Sequence, residues 1–543
     1  MENKHQWWKE AVIYQVYPRS FKDSNGDGVG DLAGILSELD YIVSLGVDAV
    51  WINPVYLSPG RDNGYDISDF RAIQPEYGTM EDMERLIEQL HDRKIRLVID
   101  MVLNHTSDEH EWFRQARSSR ENPYYSFYHW WPAEKGEPPH RCGFFDAKGR
   151  GWQYNEATDS YYLHYFAPEQ PDLNWENPEV RRALYDMLRF WLDKGVDGLR
   201  MDAICFIAKD VSWPEISPEL LKEKYKGDWG HYYAAGPKLH DYLREMREEV
   251  LSKYDVAVIA EASGISSDQA LLFVDEDRKE MDMLYHFEGV MIGYIPGEFK
   301  KVDPGGFGLG EWKEVYTRWD AALKHKGWGT IYLGNHDQPR MVSRWGDDSE
   351  EFRDALAKLL LTFLLTMRGT PFIYNGDELG MTNIRFEKID DYRDIETRQM
   401  YENLKQKGGD AEGFLKDQQL TGRDNSRTPF QWTADLNAGF TSGEPWISVN
   451  PNHTVINREK AEGEKGSVLN YFRELVRLRK ENPVLVYGEY ALLLPEHPAI
   501  YAYTRSYEDK VWTVLLNFSK EEQDCVVGGR EIRMKGYGAL ILR

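Results

Sequence analysis

Four short segments of this chain end in side chains that can carry charge or move protons. IDMVLNH supplies Asp100, Asn104 and His105; LRMD supplies Arg200 and Asp202; IAE supplies Glu261; GNHDQPR supplies His336, Asp337 and Arg340. A fifth, TPFIYNGDE, ends near Asp377 and Glu378. Carboxylates crowded together repel, so one of them holds a proton near neutral pH. A protonated acid beside an ionised partner suits cleavage of a glycosidic bond: the acid protonates the leaving oxygen while the carboxylate attacks or stabilises the oxocarbenium-like centre. Asp202, Glu261 and Asp337 are the candidates. Arg200 lies two residues before Asp202 and points to the same face, so its charge would keep Asp202 ionised. His105 and His336 could hydrogen-bond sugar hydroxyls. Taken singly, each residue would read as a turn former, a helix cap or an ion pair; their common position is what makes a site.

That position follows from the elements that carry them. Short β-branched runs recur at 12–18, 47–54, 96–102, 197–203, 256–262, 283–289, 329–337 and 370–378. Amphipathic segments such as MEDMERLIEQLHDRK and VRRALYDMLRFWLDKG lie between them. Buried strands alternating with helices predict a parallel α/β fold, and eight such runs predict a (β/α)8 TIM barrel, whose chemistry gathers at the carboxyl ends of its strands. The catalytic barrel is expected over residues 1–104 and 176–483. Residues 105–175, rich in aromatics, Gly and Pro, are expected as an insertion subdomain after strand three, leaning over the barrel mouth. Residues 484–543 alternate as strands and are expected as a small C-terminal antiparallel β-sandwich docked on the barrel.

The opening stretch FKDSNGDGVGD spaces Asp23, Asn25, Asp27 and Asp31 around glycines. Counted from Asp23, it follows the first part of an EF-hand loop, with Gly28 at the turn and the Val29 carbonyl as a further ligand, but Gly34 stands where such a loop needs a glutamate. It reads as a half-loop for a cation, Ca²⁺ rather than Mg²⁺, because many oxygens sit in a flexible turn.

Gross composition narrows the partners. The chain has 543 residues, 66 basic against 91 acidic, for a net charge of −25. Such a balance argues against nucleic acid or anionic membranes. Aromatic residues reach 13%, enough to pack a core and to stack on sugar rings. Three cysteines, Cys142, Cys205 and Cys525, form no disulfide framework, and no CxxC pair exists for zinc. No signal-like start and no run of about 20 apolar residues are present. The expectation is a cytoplasmic protein with a neutral or cationic ligand and no organic cofactor, a monomer or weak oligomer.

The motifs DMVLNHTS, GLRMDAI, IAEASG, LGNHDQPR, QPDLNWENP, DNGYDIS and RDNSRTPFQW, together with the opening stretch, resemble the alpha-amylase family of glycoside hydrolases, in its oligo-1,6-glucosidase and alpha-glucosidase branch. The resemblance covers essentially the whole chain. It implies a retaining mechanism with Asp202 as nucleophile, Glu261 as acid/base and Asp337 as transition-state stabiliser. It places Asp62, Tyr65, His105, Arg200, His336 and Arg423 around a terminal glucose, with Asp62 and Tyr65 walling off the pocket. It also implies a structural Ca²⁺ or Mg²⁺ on Asp23, Asn25, Asp27, the Val29 carbonyl and Asp31. Members that favour α-1,6 bonds typically carry valine after the nucleophile. Here the residue is Ala203, which implies an exo-acting alpha-glucosidase preferring maltose and short malto-oligosaccharides. The alternatives are an oligo-1,6-glucosidase, a sucrose isomerase, a trehalose-6-phosphate hydrolase, or a non-catalytic transporter-associated scaffold. Sucrose isomerases typically carry an Arg-Leu-Asp-Arg motif where this chain has KKVDPGGFGLG (300–310). The two catalytic carboxylates should stand about 5–5.5 Å apart.

Overall fold

A strand sends alternate side chains to opposite faces, and here one alternate set runs from apolar to polar. Ile13 is followed by Gln15, Ala49 and Trp51 by Asn53, Val98 by Asp100, Gly198 by Arg200 and Asp202, and Ala257 and Ile259 by Glu261. The structure is a computed structural model that describes residues 6–295, 300–303 and 306–543. It wraps these strands into a barrel with that set inside. Within the KKVDPGGFGLG stretch, 304 and 305 lie outside the described residues.

The barrel strands are β1 (Ile13–Val16), β2 (Ala49–Ile52), β3 (Arg96–Val102), β4 (Gly198–Asp202), β5 (Ala257–Ala262), β6 (Met283–His286), β7 (Thr330–Ile331) and β8 (Thr370–Tyr374). They pair in parallel in the order β6-β5-β4-β3-β2-β1-β8-β7. A parallel bridge from Leu284 to Gly329 joins β6 to β7 and closes the ring. Ile13, Ala49, Trp51, Val98, Ala257, Ile259, Met283, Tyr285 and Phe372 fill the interior as one apolar cluster. Gly198 opens the inward column of β4; a Cβ there would stand 2.8 Å from Val98 Cγ2. The register sets Asp100 directly beside Arg200 and Arg200 beside Ile259, so Glu261 lies one inward step further on.

The outward faces pack on helices. Met80–Asp92 is typical: Thr79 and Asp82 form a reciprocal capping box, and Met83, Leu86, Ile87 and Leu90 supply the buried stripe. Between β3 and β4 the chain builds a helix, Glu111–Ala116, and a small antiparallel sheet with Ser160–Leu163 between Trp130–Pro132 and Trp152–Asn155. Buried Lys209, after β4, reaches Asp172 at 2.9 Å and Asn104 Oδ1 at 2.7 Å, pinning this insertion to the ends of β3 and β4.

After the barrel come β9 (Glu489–Leu493), β10 (Ile500–Tyr507), β11 (Lys510–Asn517), β12 (Gln523–Val527), β13 (Arg530–Met534) and β14 (Ala539–Leu542). Strands β9, β10, β11 and β14 form one antiparallel sheet, β12 and β13 a separate hairpin, and Ile500, Ala502 and Leu515 pack against Cys525 and Met534 between them. Buried Arg505 on β10 donates to the carbonyls of Thr366, Leu485, Val486 and Gly488, and Thr366 Oγ1 lies 2.6 Å from Tyr503 OH. These bonds seat the sheet on the helix Arg353–Thr366. Among the described residues no helix is long and apolar enough to cross a membrane.

Two sequence expectations change. The run 329–337 keeps only Thr330 and Ile331 in the ladder, so His336 and Asp337 sit on a loop beyond β7 rather than at a strand end. Tyr332 turns its hydroxyl to the His286 carbonyl at 2.7 Å, and the chain leaves the sheet there. Asp377 and Glu378 lie in a buried turn, where Tyr14 OH and Tyr41 OH donate to Glu378 at 2.6 and 2.7 Å. They belong to the packing behind the barrel, as does Arg340, which donates to the Asn375 carbonyl at 2.6 Å.

Candidate active site

The inward polar column meets at one buried guanidinium. Arg200 Nη1 donates to Asp100 Oδ1 at 2.8 Å and to Asp202 Oδ1 at 2.6 Å, while Nη2 donates to Glu261 Oε1 at 2.5 Å. Strands β3, β4 and β5 thus deliver three carboxylates to one cation. Trp51 Nε1 donates to the other oxygen of Asp100 at 2.9 Å. The Ala203 N–H, on a left-handed turn with φ of 45°, donates to Glu261 Oε2 at 2.7 Å.

Burial, and then the charge of Glu261, push Asp202 well above the ordinary carboxylate range, against Arg200. Burial also raises Glu261, against Arg200 and the Ala203 N–H. Arg200 does lower Asp202, as the sequence reading expects, but burial outweighs it. The two carboxyls thus share one buried cation, and the charge of Glu261 opposes ionisation of Asp202.

Asp337 has the opposite environment. Burial works against it, but His336 and then Arg423 hold its carboxyl well below the usual range. Arg423 Nη1 donates to Asp337 Oδ1 at 3.0 Å and Arg427 Nη2 at 2.8 Å; His336 Nε2 lies 3.1 Å from Oδ2. The amide nitrogen of Gln15 lies 2.9 Å from His336 Nδ1, and Tyr65 OH lies 2.7 Å from His336 Nε2. Tyr65 and His336 stack at 5.3 Å, and Asn53 Nδ2 donates to Tyr65 OH at 2.8 Å.

The remaining wall is built from distant segments. Asp62 accepts from Gln170 Nε2 at 3.1 Å and pairs with Arg423 at 3.4 Å. Burial pushes the Asp62 carboxyl up to about 7, against Arg423. Gln170 also lies 3.1 Å from His105 Nε2, and burial lowers His105 to about 3, so this imidazole is neutral. The structure therefore brings together Asp62, Tyr65, His105, Arg200, Asp202, Glu261, His336, Asp337 and Arg423. Sequence reasoning gave no role to Gln15, Asn53, Gln170, Asp394 or Arg427. The alternation along β1 and β2 already points Gln15 and Asn53 inward. Arg427 stands in the quoted RDNSRTPFQW motif, four residues after Arg423.

The opening loop is a separate structure. Asp23 accepts from the N–H groups of Asn25, Gly26 and Gly28 at 2.8–2.9 Å, Asn25 from that of Asp27 at 2.8 Å, and Asp27 from that of Val29 at 2.9 Å. Asp31 caps the helix Leu32–Ser37 through Gly34 N at 2.6 Å and accepts from Ser24 with its second oxygen. Asp23 accepts a fourth bond from Thr441 Oγ1, so hydrogen bonds already occupy its lone pairs, and among the described residues no three His, Cys, Asp or Glu side chains are gathered to hold a metal ion.

A family model for the alpha amylase catalytic domain matches residues 15–488. The chain belongs to the alpha-amylase family and is a glycoside hydrolase. It is 49% identical over 95% of its length to an oligo-1,6-glucosidase of Bacillus cereus, of which 92% is covered. It is 44% identical to a trehalose-6-phosphate hydrolase of Bacillus subtilis, with 94% of this chain and 90% of that protein covered. The isomaltulose synthase structure from Erwinia rhapontici NX5 superposes with a TM-score of 0.95 at 44% identity, covering 98% of both chains.

The raised Glu261 makes a pH prediction. Raising the pH through its elevated range removes the acid proton, so hydrolysis of a glycoside with a poor leaving group falls on the alkaline side. Glu261→Gln should cost about 10²–10⁴ in kcat on that substrate and abolish the alkaline limb, yet spare the first step on a substrate with a good leaving group. Asp202→Asn should abolish both. Equal losses on both substrates for Glu261→Gln would contradict the assignment.

Proposed function

We propose that this enzyme is a retaining, exo-acting alpha-glucosidase that releases glucose from the non-reducing ends of short oligosaccharides. The observation that carries this reading is the grip of one guanidinium on Asp202 and Glu261, which supports the close carboxylate spacing of retaining enzymes rather than the wider gap that admits a water. In the first step an Asp202 oxygen bonds to the sugar C1 as the C1–oxygen bond breaks. The proton carried by Glu261 goes to the leaving oxygen. In the second step Glu261 takes a proton from water, whose oxygen bonds to C1 and releases Asp202. Asp337, kept ionised by His336, Arg423 and Arg427, grips ring hydroxyls as positive charge develops at C1. The Asp62–Arg423 pair supports a closed pocket end that accepts one terminal sugar.

We take the bond preferred to be α-1,4, as in maltose, because Ala203 leaves more room beside the acid than valine would. The names of the similar proteins favour a second reading, α-1,6. Identity in the range 44–49% spans proteins named as oligo-1,6-glucosidase, trehalose-6-phosphate hydrolase and isomaltulose synthase, so a pocket residue is the better guide to the bond cleaved. The three cysteines are unpaired, which supports a reducing, cytoplasmic setting. Comparing kcat/KM on maltose, isomaltose, sucrose and trehalose-6-phosphate tests the reading. Maltose should lead, and Ala203→Val should move the isomaltose-to-maltose ratio upward by about tenfold. A strong isomaltose preference in the unaltered enzyme would favour the second reading.

We also propose that Ca²⁺ binds the opening loop through Asp23, Asn25, Asp27, the Val29 carbonyl and Asp31, in exchange for hydrogen bonds these oxygens now accept, and ties together a turn that Thr441 also contacts. Removing the metal by chelation should lower the melting temperature, and Ca²⁺ at a hundredfold excess over its Kd should restore about 2.7 kcal/mol. A melting temperature indifferent to both treatments would remove the metal from the account.

A further inference from the structure

Asp394 touches no sugar pocket, yet both arginines on Asp337 end on it. Its Oδ1 accepts from Arg423 Nε at 2.9 Å and Nη2 at 2.5 Å, and from Arg427 Nη1 at 3.4 Å. The opposite ends of the same guanidiniums reach Asp337, at 3.0 and 2.8 Å. Asp394 is fully buried and caps the helix Ile395–Gln406: its other oxygen accepts from Thr397 N at 3.1 Å and Thr397 Oγ1 at 2.9 Å, and Oδ1 also accepts from Glu396 N at 3.4 Å. Its backbone is fixed in turn: Asp424 Oδ2 accepts from the N–H groups of Arg393 and Asp394 at 2.6 and 2.9 Å. Around it stand Glu396, 3.3 Å from Arg423 Nε, and Lys300, paired with Glu396 at 2.5 Å.

We propose that Asp394 is a positioning residue that aims Arg423 and Arg427 at Asp337 and so sets the affinity of the pocket for its terminal sugar. The inference rests on the role of Asp337 proposed above. A guanidinium is a planar fork, and holding one edge fixes where the other edge points. Two such forks anchored on one buried carboxylate turn together, so they present a rigid pair of donors to Asp337. Without the anchor, each cation is free to turn toward the carboxylates that remain, Asp62 and Glu396 for Arg423 and Asp424 for Arg427. Burial opposes the charge on Asp394, but Arg423 and then Arg427 hold its carboxyl far below the usual range, so the anchor stays charged wherever the enzyme works. The helix cap gives the same residue a purely structural duty, which the experiment must separate.

Asp394→Asn in the full-length enzyme is expected to lower kcat/KM on maltose by on the order of 10²-fold and to raise the inhibition constant of glucose in parallel with KM. Thr397→Ala removes a partner on the capping side only and should leave both quantities unchanged. In a cycle with Arg427→Met the two losses should fall short of additivity. Should the amide variant fail to fold, Asp394→Glu keeps the charge but shifts it by one methylene, and is expected to raise the glucose constant in the same way. The proposal is overturned if the folded Asp394 variant binds glucose as the parent does, if Thr397→Ala loses as much, or if the cycle is additive. Asp202→Asn run alongside keeps this outcome separate: an inactive Asp202 variant with an unaffected Asp394 variant leaves the hydrolytic reading standing and removes only the anchor.

Discussion

At the centre of the barrel mouth a guanidinium has been taken entirely out of water and surrounded by carboxylates. Moving such an ion into a protein interior costs on the order of several kcal/mol, recovered only when its hydrogen bonds are met with good geometry. The Nη1 and Nη2 groups of Arg200 find oxygens of Asp100, Asp202 and Glu261 on three neighbouring strands, while its Nε is left without a hydrogen-bond partner. The condition ties chemistry to register. Asp100 lies beside Arg200 in the ladder, and Glu261 stands two residues beyond the partner of Arg200 on the far side. Because side chains alternate along a strand, a slip of one residue would turn the carboxylate away from the cation and leave a buried charge unpaired.

The same constraint divides the acids into two groups. Around Arg200 there is one cation for three carboxylates, and burial raises both Asp202 and Glu261. Around Asp337 the balance differs: two guanidiniums, Arg423 and Arg427, and the His336 ring meet one carboxylate and hold it below the usual range. Acid and base duties are thus set by the number of cations each group sees rather than by residue type. The wall that supplies the two arginines comes from the long excursion between β8 and the C-terminal sheet, where both meet Asp394.

Much of this was legible in the sequence because the barrel repeats one rule. Apolar runs marked the strands, and the polar residues that end their inward columns marked Arg200, Asp202 and Glu261. The rule weakens where the sheet does. Strand β7 keeps two residues in the ladder, so His336 and Asp337 are placed by loop contacts that no periodicity encodes. Glu378 follows β8 as closely as a site residue would, yet two tyrosine hydroxyls draw it into the core. Asp394 and Arg427 lie in a stretch without strand pattern, and their meeting with Asp337 depends on tertiary packing alone. Asp31 stands in register with the cation loop but spends one oxygen on a helix cap, a competing use that residue type does not reveal.

The most direct test of the central claim is to trap the intermediate. A fluorinated glucosyl fluoride slows the second step more than the first, and the modified enzyme is then digested and read by mass spectrometry. The account predicts one glucosyl adduct, in the peptide that holds Asp202 and on that side chain, with none in the Glu261→Gln control at any other carboxylate. An adduct on Glu261 or Asp337, or hydrolysis that inverts the anomeric centre with no adduct at all, would contradict it.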